Sequence, residues 1–203
     1  MPSEQGIGLG GFHRLVQQRR QQRQQRQRQN RQQTPGLKSA DWLIGEWHTE
    51  YNGKLTWPTV PKMTYGERLS IQKAPVAIGS DLKMLEVKST TWSHNTKDHF
   101  LDSYGYLSID PEYNMTFYQT GSNGFSTIEQ STSPLRYGYA GFKSDHVSRM
   151  AFAREIPVLN IQREIVLLDY DQIEQVVWMR TIQHPPNSGL LEHARVKYQK
   201  VRE

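Results

Sequence analysis

The chain has no cysteine, which excludes a disulfide framework, a thiolate nucleophile and Cys-ligated zinc. That fits an intracellular protein, cytoplasmic or nuclear. It also lacks any apolar run approaching the ~20 residues a membrane-spanning helix needs. The opening residues show no apolar stretch of the secretory-signal kind, so none is expected. Acidic residues are nearly missing from the start. Of the 25 Lys and Arg residues, eight fall within 1–38 against one of the 20 acids, a balance of +7. The other 17 basic and 19 acidic residues leave 39–203 at −2. The overall basicity therefore belongs to the first segment, and nothing in 39–203 reads as a nucleic-acid-binding surface.

Residues 14–33 are almost entirely Gln and Arg, from Arg14 through Arg31. They carry no apolar face whose burial could offset the entropy of ordering, so a disordered tail over 1–38 is expected. Its charge suits weak contact, through 14–31, with nucleic acid or another acidic surface. No aromatic residue is interleaved to stack on bases, which argues against sequence-specific contact. Thr34-Pro35-Gly36 punctuates the junction, and a folded domain is expected over 39–203.

From Ser39 onward the chain breaks into short segments rich in β-branched and aromatic residues, separated by turn chemistry. Eleven candidate strands follow: 45–51, 63–71, 83–92, 104–109, 115–119, 124–130, 135–141, 147–153, 158–168, 173–182 and 194–201. In 158–168, Leu159, Ile161, Ile165 and Leu167 fall on one face, with Gln162 and Glu164 opposite. Asp110-Pro111 and Gly121-Ser122-Asn123-Gly124 are turn sequences. One short helix, 39–44, is expected to cap an end, with Ser39 at its start and Trp42, Leu43 and Ile44 as the plug. With no long helix to carry a parallel crossover, the pattern predicts consecutive hairpins. It points to an all-β protein, an antiparallel up-and-down β-barrel of about ten strands, lipocalin-like or fatty-acid-binding-protein-like. Closure removes unpaired edges. A sandwich is the alternative. A barrel of that size leaves an internal cavity.

Four stretches resemble the nitrobindin family of haem-binding domains. They are Leu43-Ile44-Gly45-Glu46-Trp47 followed by Trp57-Pro58-Thr59-Val60; Tyr65-Gly66-Glu67-Arg68-Leu69 followed by Leu85 through Trp92; Tyr104-Gly105-Tyr106-Leu107 through Pro111; and Ile161-Gln162-Arg163-Glu164, Val177-Trp178-Met179 and His193-Ala194-Arg195-Val196-Lys197-Tyr198. Each motif is weak alone; their order across residues 40–203 makes the resemblance specific. It implies a ten-stranded barrel holding a b-type haem. It further implies interaction with nitric oxide and isomerisation of peroxynitrite to nitrate.

On that resemblance His193 is the axial ligand of haem iron, and imidazole on a rigid strand suits that role. Met179 matches a pocket methionine whose thioether packs on the porphyrin face. Thr59 would place a hydroxyl at the pocket rim. Three departures bear on the haem site. A family glycine-rich stretch is replaced by His48 through Lys54, which could reshape the mouth. The Ile182–Gly189 loop is longer and could shift His193. The family's distal histidine falls near Phe100-Leu101, and only a bulge would bring His99 inward. Those departures keep open a second function, a non-enzymatic barrel for a lipid-like or other apolar small molecule. No Gly-x-Ser-x-Gly elbow, P-loop or dinucleotide fingerprint is present.

Overall fold

The computed structural model describes residues 40–57, 60–75 and 82–202. By its contacts the chain divides into Met1–Lys38 and Ser39–Glu203. The expected tail, Ser39 and Thr59 lie outside the described residues.

Ten antiparallel strands close into a barrel: β1 (Gly45–Trp57), β2 (Val60–Lys73), β3 (Lys83–Ser93), β4 (His99–Ile109), β5 (Met115–Gly121), β6 (Phe125–Ser131), β7 (Tyr139–Arg149), β8 (Val158–Asp169), β9 (Gln172–Thr181) and β10 (Leu191–Lys200). Each strand pairs with its sequence neighbours, and β10 returns to β1 through pairs such as Trp47 with Lys200 and Leu55 with Ala194. The ring has no free edge. No described helix is long and apolar enough to cross a membrane.

Two of the eleven expected strands, 135–141 and 147–153, are not separate. One strand, β7, runs from Tyr139 to Arg149 between them. Residues 135–138 form a turn instead, where Gly138 takes φ +82° and the Leu135 amide donates to the Tyr113 carbonyl. Leu159 is also exposed rather than inward, because the β8–β9 register slips between Val158 and Asn160. A one-residue slip moves a side chain to the opposite face.

One end of the barrel is packed solid. The short helix expected at 39–44 is a single turn, with the Leu43 amide donating to the Ala40 carbonyl at 2.8 Å. It drives Trp42 and Leu43 into the end of the ring. Trp47 is fully buried beneath them, and its indole N–H donates to the Leu43 carbonyl at 2.8 Å. Ile71, Leu85, Ile109, Met115, Ala140 and Ile173 complete this core. Burying Trp47 this completely makes it an anchor whose truncation would cost about 3–5 kcal/mol.

Candidate functional site

Above that plug the interior is open. A cavity of about 900 Å³ runs from Leu43 and Ile71 up to His193 and Ala194. That is the upper range of small-molecule sites. Strand alternation sets what faces it: every second residue of each strand points inward.

His193 stands at the mouth, on the cavity wall. In the β9–β10 ladder Glu192 pairs with Trp178 and Ala194 with Val177, so His193 is the extra residue of a β-bulge. Bulges re-aim a side chain without breaking the ladder. Here the imidazole reaches across to β1, where its Nδ1–H donates to the Thr56 carbonyl at 2.9 Å. A carbonyl oxygen only accepts, so Nδ1 carries the proton and the lone pair of the neutral ring lies on Nε2. Desolvation pushes the imidazole down to about 4, although the bond to Thr56 works the other way. The ring is therefore neutral near pH 7, the form that binds metal.

Met179 lies on β9, opposite Leu191 and beside the bulge. It is buried with Ile161 and Val177, and Val147, Val158 and Ala194 pack on them. These residues make an apolar wall next to His193. Four strands away round the ring in either direction stand β4 and β6, whose Phe100, Leu101 and Phe125 face the cavity. A bulge does occur in β4: Trp92 pairs with His99 and Thr91 with Leu101. It turns Phe100 inward rather than His99, whose ring lies on the outer surface 6.4 Å from that of Trp92. Among the described residues His193 is thus the one histidine lining the cavity.

The His48–Lys54 segment is part of β1. Its register slips between Thr49 and Gly53, and the Asn52 amide donates to the Thr49 hydroxyl at 3.0 Å. Thr49 points inward, Tyr51 outward, and Gly53 lets its backbone lie against the Tyr65 ring, where a Cβ would come within 2.7 Å. The 182–189 loop is folded back on its stem. His184 Nδ1 accepts from the Thr181 amide at 2.7 Å, and Arg180 donates to the Pro186 carbonyl.

Deeper in the cavity lies a polar belt that the motif reading did not single out. Arg163 of β8 donates through Nε and Nη2 to both oxygens of Glu129 on β6, at 3.0 and 3.1 Å. Thr127 donates to the same carboxylate, and Arg163 Nη1 donates to Gln175 at 3.3 Å. The Arg163 guanidinium also sits 5.0 Å from the Phe117 ring centre. Opposite this pair Glu67 of β2 is 5% exposed. Burial pushes its carboxyl up to about 7, against the opposing influence of the Tyr198 and Ser89 hydroxyls and of Arg163. Tyr65 and Tyr198, themselves buried near Glu67, are held well above the usual phenol range. The sequence signal was phase: Glu67 stands between Tyr65 and Leu69, and Arg163 between Ile161 and Ile165, on the inward set of each strand.

The site is thus an inward histidine braced by a backbone carbonyl, beside an apolar cavity in a closed ten-stranded barrel. The model of the THAP4-like, heme-binding beta-barrel domain fits residues 36–200. The chain belongs to this family. It is 30% identical over 174 residues to an uncharacterized Caenorhabditis elegans protein, covering 81% of this chain and 56% of the relative. It is 24% identical over 167 residues to the human protein named peroxynitrite isomerase THAP4, covering 82% of this chain and 27% of that protein. The chain thus spans little more than half of the first relative and about a quarter of the second. The crystal structure of Rv2717c from Mycobacterium tuberculosis superposes with a TM-score of 0.66 at 19% identity. It covers 83% of this chain and 99% of its own, and at that identity it speaks for the fold alone.

The residues present fit a haem. Among the described residues no cluster of three His, Asp or Glu could hold a bare metal ion, whereas haem iron needs only one protein ligand. Outer-sphere support of a ligating imidazole by a backbone carbonyl is the usual arrangement at metal sites, and Thr56 supplies it to His193.

Proposed function

We propose that this chain binds a b-type haem in its cavity, with His193 as axial ligand, and isomerises peroxynitrite to nitrate. The observation that carries the reading is the bulged His193. Its Nδ1–H is committed to Thr56, so the neutral ring offers its lone pair from Nε2. When bound, ferric haem supplies a Lewis-acidic iron able to take nitric oxide or an oxyanion of nitrogen.

The chain's own residues do the rest. His193 would hold the iron, and its strand is fixed on both sides by β1 and β9. Met179, Ile161 and Val177 keep one wall dry, and the thioether adapts to a flat apolar surface. Phe100, Leu101 and Phe125 face the remaining space, and Asp98, Arg154 and Glu155 also line the cavity. Among the described residues no second imidazole lines the cavity, which would leave room for a small ligand beside a bound haem. Thr59 would contribute a hydroxyl at the rim. A weak contact of the 14–31 tail with nucleic acid or an acidic partner is a separate property, and a cytoplasmic or nuclear setting suits both.

Hemin titration of the full chain tests this reading. A Soret band should grow to one haem per chain and vanish in His193→Ala, with partial return on adding free imidazole. Peroxynitrite decay should yield nitrate faster with the loaded protein than with hemin alone. A wild-type barrel that takes up no hemin would sink the proposal.

The size of the cavity, and the lack of a second inward histidine among the described residues, favour one other reading, a non-enzymatic barrel for a lipid-like ligand. Retention of a fluorescent fatty-acid probe, unaltered by His193→Ala and undisplaced by hemin, would support it instead.

A further inference from the structure

The haem reading uses the mouth of the cavity and leaves its middle level without a task. The strand registers show how far apart the two levels are. Met63 pairs with Leu55, which pairs with Ala194, the neighbour of His193. Glu67 lies four residues further along β2, about 13 Å at the usual strand rise. Its carboxyl lines the same cavity and is almost wholly buried.

The belt's charges do not balance. Arg163 is committed to Glu129 in a two-pronged ion pair with little room for a second anion. Glu67 therefore adds one carboxyl beyond the cations available among the described residues facing it. From β10 it meets the Tyr198 phenol, from its own strand Tyr65, from β3 the Ser89 hydroxyl, and from β8 the already paired Arg163. A buried carboxylate without its own counter-ion responds by holding its proton, and Glu67 titrates near 7 instead of in the acid range. A guest cation would complete the set: two carboxylates, one guanidinium and one ammonium sum to zero. A guest anion would leave the belt doubly short of positive charge.

Above the belt one side of the wall is apolar, through residues such as Met63, Leu101 and Met179, while Asp98, Arg154 and Glu155 also line the cavity. Neutral acceptors stand at the level of the carboxyl, among them the Gln119 side chain and the Ser103 hydroxyl. An ammonium carries three donors and seeks such acceptors.

We infer that the mid-barrel belt is a binding site for the ammonium head of a small amphipathic amine, with the Glu67 carboxylate as counter-ion and the alkyl part lying along the apolar wall. The site is independent of iron ligation by His193.

Three probes of equal length separate the alternatives: n-hexylamine, n-hexanol and n-hexanoate, titrated into the full chain by calorimetry at pH 6 and pH 8. Hexylamine should bind at least about tenfold more tightly than hexanol at pH 8. Its affinity should fall about tenfold at pH 6, where the amine must displace the Glu67 proton. Heats measured at pH 6 in buffers of different ionisation enthalpy should report close to one proton released. Hexanol should show neither pH dependence nor proton release. Glu67→Gln should erase the preference for amine over alcohol while retaining hexanol. Should that variant not fold, the proton count in the wild type still decides. His193→Ala should keep the amine preference, so failure of haem binding and failure of this site are told apart. Hexylamine no tighter than hexanol at pH 8, or hexanoate tightest of the three, would overturn the assignment; the latter would make Arg163 the recognising group.

Discussion

The His193 imidazole donates its Nδ1–H to the carbonyl oxygen of Thr56 across the β1–β10 seam. One hydrogen bond thereby fixes the ring's tautomer and its tilt at the closing edge of the barrel. The acceptor is backbone, so no side-chain substitution at 56 removes it. The bulge is what permits the reach, because a regular strand would alternate His193 out of line with its neighbours.

The haem-free protein should therefore hold His193 as the Nδ1–H tautomer near neutral pH. Nitrogen-15 NMR of labelled imidazole reads this directly, since protonated and lone-pair nitrogens resonate far apart. A ring protonated at Nε2 instead would break the argument for iron ligation, whatever the family resemblance.

Close packing of β4 on β5 yields a second expectation. A Cβ on Gly105 would lie 2.1 Å from the Tyr118 carbonyl oxygen and 2.7 Å from the Gln119 Cα, both backbone atoms that cannot swing aside. Gly105→Ala should cost about 3 kcal/mol. For a domain of this size that lowers Tm by roughly 6–12 °C in a thermal melt. Gly189→Ala, with nothing within 4 Å, is the control and should leave Tm unchanged.

The barrel was legible because period-two alternation and turn chemistry are local. Tyr65, Leu69 and Ile71 announce an inward face without knowledge of their partners. Strand ends were less so: 135–141 and 147–153 read as two strands, whereas β7 runs between them from Tyr139 to Arg149. His193 was legible only through its motif, because a bulge depends on how two strands register and leaves no mark in either alone. The belt stayed hidden for a related reason. Glu67, Glu129 and Arg163 come from three strands far apart in sequence, and a charge in phase with apolar residues shows its burial but not its partner.

The Arg163–Glu129 pair gives a third test. Arg163→Met strands a fully buried carboxylate and should cost about 3–5 kcal/mol. Combining it with Glu129→Met should restore much of that loss, since neither charge is then left alone. Urea melts of the wild type, both single variants and the double variant close the cycle. A double variant as unstable as the sum of the singles would show that the two side chains act independently.

Glu67 makes the fourth prediction, and here the sign of the pH effect matters. Its carboxyl titrates near 7 in the folded barrel against 4.5 for the exposed group. Between those values the folded state holds a proton that the unfolded state has released, so stability falls as pH rises from 4.5 to about 7. Above 7 the penalty is complete, roughly 3 kcal/mol for a shift of that size. Below 4.5 both states are protonated and the effect vanishes. Glu67→Gln, which keeps the shape and removes the titration, should therefore be near-neutral at pH 4.5 and stabilising at pH 8. Denaturant midpoints of the two proteins across that range supply the comparison. Equal stability at every pH would mean that water or another cation already satisfies the carboxylate, and the middle of the barrel would no longer want a positive guest.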